Sequence, residues 1–374
     1  MTAPELRARA PRRVALAGGG TAGHVFPLLA VAAAYRARLP DVALLFLGAA
    51  GGDEGRLASE AGLECAALPA APWFGVGPLG QLRAAWRVGS SRRAARALLT
   101  ARGIELVVGS GGYVSAAPLL AARQLGLATA IIEPNIAPGL TNRLLGRLVD
   151  RVYLGSAAAA AHFGAAQRLV TGVPVRPDLA APATARRAGP PRLLVTGGSG
   201  GSAFLNRAAP ALLAALQGRV GPLAVHHQSG SGDPQAVAAA YAGLGIAAQV
   251  EPFIADMPGA YAWADAAVAA AGAVTLAELA AVGLPALVVP LSTASEDHQT
   301  ANARAFAAAG HGHWCGEADW DRDALAAWLA SALDRAPAEP APSVDAAAVI
   351  VSDCEAILEW RRTTQAPRHQ GARG

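Results

Sequence analysis

A three-part unit, made of a short apolar run, a glycine turn and an alanine-rich stretch, occurs twice in this 374-residue chain. The first copy reads "RVALAGGGTAGHVFPLLAVAAAY" from residue 13 and the second "RLLVTGGSGGSAFLNRAAPALLAAL" from residue 192. An apolar run this short, closed by glycines, reads as a buried strand, and the alanine-rich stretch after it as a helix. Behind each copy the alternation continues. The first half carries "ALLFLG", "ECAAL", "IELVVG", "ATAIIE" and "RVYLG"; the second carries "LAVHH", "AAQVE", "DAAVA", "ALVVP" and "HGHWC". Strands alternating with helices make a parallel sheet covered on both faces. Two openings of the pattern predict an α/β chain of two doubly wound, Rossmann-like domains, and the length agrees, because single cores stop growing beyond about 250–300 residues.

Between the halves, "VRPDLAAPATARRAGPP" (175–191) is rich in Pro and Ala without periodicity and reads as a linker. The predicted units are therefore 1–174, the linker 175–191, a second domain 192–362, and a disordered tail 363–374. Ligands of doubly wound folds bind outside the carboxyl ends of the strands, so the site is expected in a cleft between the two domains.

Composition removes several classes. The chain is 53% hydrophobic and 16% charged, with a formal charge of +4. That balance favours anionic small partners, but no dense basic run with interleaved aromatics marks it for nucleic acid. Cys65, Cys315 and Cys354 lie far apart without C-x-x-C spacing, which suits a reducing compartment. The basic start "MTAPELRARAPRR" is followed by no apolar stretch long enough for a signal peptide. The most membrane-like segment, 272–291, contains Glu278 and a Gly-Leu-Pro break and reads as a helix followed by a strand. A cytoplasmic protein that spans no membrane is expected.

"GGGTAG" (18–23) matches the dinucleotide spelling G-x-G-x-x-G, a weak signal alone. A nicotinamide-binding unit needs an acid at the end of its second strand, yet here Asp53 and Glu54 come only after further glycines. The turn can also serve geometry alone. The second turn, "GGSGGS" (197–202), brings Ser199 and backbone N–H groups to a helix start, where dipole and unpaired donors favour an anion. Neither turn has the G-K-[ST] of a P-loop. Two anion sites facing one cleft would suit a donor and an acceptor that both carry diphosphates.

With these turns stand "GSGGYVSAAPLLAA", "EPNIAPGLTNRLLG", "TGVPVRPD", "HHQSGSGD", "PFIADMPGAYAWAD", "AGAVTLAELAAVGLPALVVP" and "DHQTANARAF". In this order and spacing, from about residue 12 to residue 335, the chain resembles the MurG family of bacterial N-acetylglucosaminyltransferases. The resemblance implies a two-domain GT-B glycosyltransferase, with the acceptor mainly on the first domain and UDP-N-acetylglucosamine mainly on the second. It implies inverting transfer of the sugar to the muramoyl C4 hydroxyl of undecaprenyl-linked lipid I, forming lipid II. It also implies a peripheral enzyme on the cytoplasmic face of the plasma membrane, with no cofactor and no metal. The one Asp-x-Asp spelling, "DRD" (321–323), falls at a helix start, where capping explains it.

Inversion needs a base for the attacking hydroxyl and stabilisation of the departing diphosphate. His24 ends the first turn at a helix N-terminus, whose dipole favours the neutral imidazole that a base requires. A lone His can equally cap or pack, and the resemblance leaves general base and contact with the acceptor diphosphate both open. Thr21, in the same turn as Gly23, fits an acceptor contact or a cap. Gly111, Gly112, Tyr113 and Ser115 match a loop beside the acceptor cleft. Asn135 matches a donor-sugar contact, although an Asn before a loop commonly just bonds backbone; Arg176 and Ser199 supply positive potential to the diphosphate; and the backbone of Ile254 corresponds to a position that reads uracil, while its side chain fits ordinary core equally well. "TLAE" (275–278) spells a capping box with Thr275 as cap, whereas the resemblance assigns Glu278 to the two ribose hydroxyls. His298 and Gln299 stand where N-acetylglucosamine hydroxyls are read, although adjacent helical side chains point about 100° apart.

An anionic membrane surface is the remaining partner. Residues 72–99 combine Trp73, Phe74, Leu79, Leu82 and Trp86 with Arg83, Arg87, Arg92, Arg93 and Arg96, which fits either a lipid-lying surface or a packed helix with a solvated face. The sequence departs from the family at four places. Ala270-Ala271 replaces Arg-Ser, Gly200 replaces Gln, Val173 replaces Asn, and "IEPN" replaces "HEQN". These changes keep two other readings open: a related transferase with another acceptor, and a nucleotide-sugar binding protein without turnover. An NAD-dependent dehydrogenase is the weakest reading.

Overall fold

The computed structural model describes residues 13–52, 54–69, 78–165, 167–179, 189–292, 297–335 and 345–364. The first lobe contains β1 (Arg13–Ala17), α1 (Ala22–Arg38), β2 (Ala43–Ala49), α2 (Glu54–Glu60), β3 (Glu64–Leu68), α3 (Pro78–Ala101), β4 (Leu106–Gly109), α4 (Gly112–Gln124), β5 (Ala128–Glu133), α5 (Leu140–Leu145), β6 (Arg151–Leu154) and β7 (Arg168–Val170). The second contains β8 (Arg192–Thr196), α6 (Ala203–Val220), β9 (Ala224–Gln228), α7 (Pro234–Gly243), β10 (Ala247–Glu251), α8 (Met257–Trp263), β11 (Ala266–Ala270), α9 (Ala273–Val282), β12 (Ala286–Val289), α10 (His298–Ala308), β13 (Gly312–Trp314) and α11 (Arg322–Asp334), and α12 (Ala346–Thr364) closes the chain.

Both sheets are parallel throughout, in the orders β3-β2-β1-β4-β5-β6-β7 and β10-β9-β8-β11-β12-β13. The apolar runs are strands because both sheet faces are covered: Val14, Leu16, Val107 and Val108 in one sheet, and Leu193, Val195, Val268 and Val288 in the other, are wholly buried. In each sheet the strand order reverses beside the first strand, between β1 and β4 and between β8 and β11. The glycine turns leave the carboxyl ends of β1 and β8, at those two reversals. β7 has no counterpart among the sequence's apolar runs; it is three residues long, half exposed at the sheet edge, and carries no periodic signal.

The carboxyl-terminal boundary differs from the sequence expectation. The sequence pattern extends the second domain to residue 362, yet Ala347, Ile350, Val351, Cys354, Ile357 and Leu358 of α12 pack into the first lobe's core beside Val31, Tyr35 and Tyr153. Arg38–Glu355 (2.9 Å), Arg151–Asp353 (2.7 Å), Arg361–Asp150 and Arg362–Glu105 tie the same helix to that lobe. An amphipathic helix carries the period of its apolar face but not the address of the surface that covers it. The helix continues to Thr364, and residues 365–374 of the expected tail lie outside the described residues. Truncating the fully buried Ile350 to alanine should destabilise the first lobe by about 2–5 kcal/mol and spare the second, which lobe-resolved hydrogen exchange would show.

All three cysteines are free, Cys65 exposed and the other two buried. No helix among the described residues is long and apolar enough to cross a membrane.

Candidate active site in the interlobe cleft

The first lobe's part of the site is built on the turns after β1 and β4. His24 lies in the first turn of α1, and its Nδ1 is 3.3 Å from both the Gly19 carbonyl and the Thr21 hydroxyl. A carbonyl only accepts, so Nδ1 carries the proton and Nε2 keeps its lone pair. Burial, together with His298 from the second lobe, lowers the His24 pKa below 6.5, while the Gly19 carbonyl works against them. Thr21 has the N-cap backbone of α1 but makes no side-chain cap; its hydroxyl is turned to the imidazole instead. The capping alternative for Thr21 therefore does not hold.

The β4 turn closes over this histidine. Ser110 Oγ donates to the His24 carbonyl. Gly112, at φ +71°, sits so close that a Cβ there would lie 3.0 Å from the Gly19 carbonyl and 3.3 Å from His24 Nδ1. Tyr113 lays its ring along Gly20, and burial and the Glu54 carboxylate raise its hydroxyl pKa. Glu54 is buried against Gly19 and accepts from the Ala49 N–H at 2.9 Å. That places a carboxylate directly behind the first turn, a feature the sequence did not reveal.

In the second lobe, Thr196 Oγ1 accepts the Gly198 N–H, Gly198 O accepts the Gly201 N–H at 2.9 Å, and Ser202 caps α6 by accepting from Leu205 N at 3.1 Å. Ser199 and Gly200 are left exposed at the crest of the turn, at the positive end of an 18-residue helix. The turn after β11 starts α9, whose N-cap is Gly272 rather than Thr275. Thr275 is half-buried inside the helix and Glu278 is only 3% exposed, so the capping-box reading of "TLAE" fails. Helical side chains lean toward the N-terminus, which brings the Glu278 carboxylate back to the helix start. There Tyr261 donates to its Oε2 at 3.0 Å. Desolvation raises the Glu278 pKa against the lowering influence of Arg176 and Tyr261.

Arg176 and Glu278 meet. Arg176 Nη1 lies 2.9 Å from Glu278 Oε1, while its guanidinium covers the Phe26 ring of α1 at 3.8 Å. The contact has ion-pair distance without hydrogen-bond alignment, and both atoms are buried with no other hydrogen-bond partner. A second bridge joins the lobes at Asn135: Asn302 accepts from Ile136 N at 3.0 Å and donates to Asn135 Oδ1 at 3.1 Å, and Asn135 donates to the buried Glu133. Asn135 thus acts in this arrangement as an interlobe latch.

Ile254 is core, 3% exposed, and its N–H donates to Gln228 Oε1 at 2.9 Å. Gln299 Oε1 accepts from Leu291 N at 2.9 Å, so its amide NH2 is the end turned to other partners. His298 stands half-buried beside it, close enough to the first lobe to influence His24. Ala270 and Ala271 are buried where the family carries Arg-Ser. Asp321 of "DRD" caps α11, accepting from Asp323 N and Ala324 N at 3.1 Å. Among the described residues no group of three or more metal-ligating side chains occurs.

Sequence reasoning missed the end of β9. His227 is fully buried and is pinned at both nitrogens, Nδ1 to Tyr241 Oη (2.9 Å) and Nε2 to Asn206 Oδ1 (3.0 Å). Because Asn206 Nδ2 donates to the Ser229 carbonyl at 3.0 Å, its oxygen must accept, and the ring proton sits on Nε2. Burial and His226 push the His227 pKa down from 6.5 to about 4. A histidine held neutral stabilises fully above 6.5; the unfolded chain binds its proton first as pH falls, and stability drops by about 3 kcal/mol between 6.5 and 4. His227→Gln should flatten that part of a pH series of urea midpoints. The available signal was three polar residues, "HHQ", closing a strand that burial on both faces would otherwise make apolar.

Comparison with known proteins gives the family. Residues 14–154 match the glycosyltransferase family 28 N-terminal domain and 192–351 the family 28 C-terminal domain. A UDP-N-acetylglucosamine–N-acetylmuramyl-(pentapeptide) pyrophosphoryl-undecaprenol N-acetylglucosamine transferase of Sorangium cellulosum is 40% identical over 370 residues, 96% of this chain and 90% of the relative. The transferase of that name from Halorhodospira halophila is 44% identical over 328 residues, 86% and 89% of the two chains. The crystal structure of Acinetobacter baumannii MurG superposes with a TM-score of 0.70 at 30% identity, covering 92% of this chain and all of that one. The chain belongs to glycosyltransferase family 28 and, within it, to the MurG family of N-acetylglucosamine transferases.

Proposed function

We propose that this protein transfers N-acetylglucosamine from UDP-N-acetylglucosamine to the muramoyl C4 hydroxyl of undecaprenyl-linked lipid I. The observation that carries the reading is the pairing of a neutral, lone-pair-bearing His24 in one lobe with the turn 197–202 and Glu278 in the other. The diphosphate is received at the crest of the second turn by Ser199 and the α6 N-terminus. Glu278 takes the ribose hydroxyls, and Gln299 and His298 face the sugar. The Ile254 carbonyl reads the base, because its N–H is already held. Arg176 now lies against Glu278; when the ribose claims that carboxylate, the guanidinium can turn to the leaving diphosphate, a charge that Ala270 does not supply. His24 Nε2 removes the proton of the attacking hydroxyl, while Thr21, Gly23 and Tyr113 line the acceptor side.

The acceptor's lipid requires a membrane-facing surface. Arg92, Arg93 and Arg96 of α3 are exposed, and Leu140, Leu144 and Leu148 form an exposed apolar stripe at 37%, 53% and 37% with Arg147 exposed among them. The side chains of residues 73–87, which carried the aromatic part of the sequence expectation, lie outside the described residues. Exposed basic and apolar side chains of these kinds support peripheral binding to an anionic leaflet, on the cytoplasmic side.

The test is incubation with UDP-N-acetylglucosamine and a lipid I analogue. Release of UDP together with an acceptor enlarged by one N-acetylglucosamine supports the proposal. Binding of the donor without UDP release indicates a non-catalytic nucleotide-sugar protein, and UDP release only with other acceptors indicates a related transferase.

A further inference from the structure

The buried amide of Gln228, at the carboxyl end of β9, lies between the two halves of the donor site. Its Nε2 donates to the Gly198 carbonyl at 2.6 Å, inside the second glycine turn, and its Oε1 accepts the Ile254 N–H at 2.9 Å. Gly198 O is only an acceptor and Ile254 N only a donor, so the amide has one possible orientation. The residue is 1% exposed, so losing either bond leaves a buried polar group of its amide unpaired. Its strand neighbour His227 points to the opposite face and fastens the following turn instead, through Asn206 and the Ser229 carbonyl. That turn packs backbone to backbone on the first: Gly201 and Gly230, at φ +74° and +64°, are so close that a Cβ on either would lie 2.2–2.3 Å from the other segment's backbone. The phosphate-side turn is therefore held by two fastenings: Gln228 bonds it directly to Ile254, while the following turn, bonded to it through Ser231 N–H and Gly200 O at 3.1 Å, reaches the base-side segment one step removed, through Gly230 N–H and Pro252 O at 3.0 Å.

Resting on the donor site proposed above, we infer that Gln228 is a positioning residue that sets the spacing between the diphosphate turn and the base-reading backbone, and so selects a ligand in which base and diphosphate are joined at nucleoside-diphosphate distance. Gln228 touches neither part of the ligand. It acts by holding Gly198 and Ile254 in one register, so that both ends of UDP are met without rearrangement. Losing it relaxes each half-site separately. Each half can still receive its own fragment, but the joined ligand no longer finds both at once.

The experiment measures affinities for UDP, uridine and inorganic pyrophosphate in the full-length wild type, in Gln228→Glu, which keeps an acceptor for Ile254 N–H and sets a second oxygen against Gly198 O, and in Gln228→Met, which keeps the volume and drops both bonds. UDP should bind at least about tenfold more weakly to both variants, the loss of one or two buried hydrogen bonds. Uridine and pyrophosphate should each stay within about twofold of wild type, a pattern that a general loss of structure does not give. Unchanged UDP affinity in the variants, or a parallel fall for all three ligands, overturns the inference. Wild-type protein that binds no UDP would instead remove the donor site itself, and the role of Gln228 with it. Failure of the inference alone is recognised by wild-type UDP binding that Glu278→Ala weakens by about a hundredfold and neither Gln228 variant weakens.

Discussion

Glu278→Ala is expected to raise the donor KM by about a hundredfold and to leave the acceptor KM where it was. Two ribose hydroxyls donating to one carboxylate amount to charge-assisted hydrogen bonds of about 1.5–3 kcal/mol each, and about 2.7 kcal/mol is already a hundredfold. The carboxylate is 3% exposed and raised in pKa by its own desolvation, so the protein keeps a costly group at this position. Arg176 and Tyr261 compensate part of that cost in the free protein. Removing Glu278 also strands Arg176 against Phe26, which lowers stability, because an ion pair broken from one side leaves an uncompensated charge. Glu278→Gln separates the effects: it keeps the shape and an acceptor for Tyr261 while removing the charge. Its donor KM should rise by about tenfold, with a smaller change in melting temperature than alanine gives. Steady-state kinetics with donor and acceptor varied in turn checks both variants. Equal effects on the two KM values would show that Glu278 shapes the whole cleft.

His24→Gln should lower kcat by about a hundred- to ten-thousandfold, the range for losing a positioned general base. Glutamine can still donate to the Gly19 carbonyl but has no lone pair of imidazole basicity to offer. The pH dependence tests the same atom. Burial and His298 lower the His24 pKa, so the residue stays neutral and competent down to below 6.5, and activity falls only as pH drops through that lowered value. The acid limb of kcat/KM should therefore lie below 6.5 in the wild type and vanish in the variant. Replacing His298 by a neutral residue removes one of the lowering influences and should move that limb upward. A variant that keeps kcat and loses only acceptor affinity would assign His24 to the acceptor diphosphate.

Much of the architecture was legible because it depends on local pattern. Every strand but β7 is legible, the central ones as apolar runs because burial on both faces of a parallel sheet leaves little choice of side chain, whereas β3, β10 and β13 are partly exposed. The glycine turns were equally visible, because positions such as Gly112 and Gly201 exclude a Cβ. What stayed hidden is decided between distant segments. "TLAE" spells a capping box whether or not Thr275 is the cap, and only the helix start at Gly272 settles the matter. The contacts of Arg176 with Glu278 and Phe26, of Asn302 with Asn135, and of α12 with the first lobe join parts of the chain whose spacing carries no mark of the meeting. Gln228 and His227 could have been suspected as polar residues ending a buried strand, but their partners could not.

The central claim is that the donor lies across the second lobe, with its diphosphate at 197–202 and its ribose on Glu278. A crystal structure with bound UDP-N-acetylglucosamine measures this directly. The account predicts β-phosphate oxygens within hydrogen-bond distance of the Ser199 region, both ribose hydroxyls on Glu278, and Arg176 withdrawn from that carboxylate. A nucleotide bound elsewhere, with the Arg176–Glu278 contact intact, would contradict it.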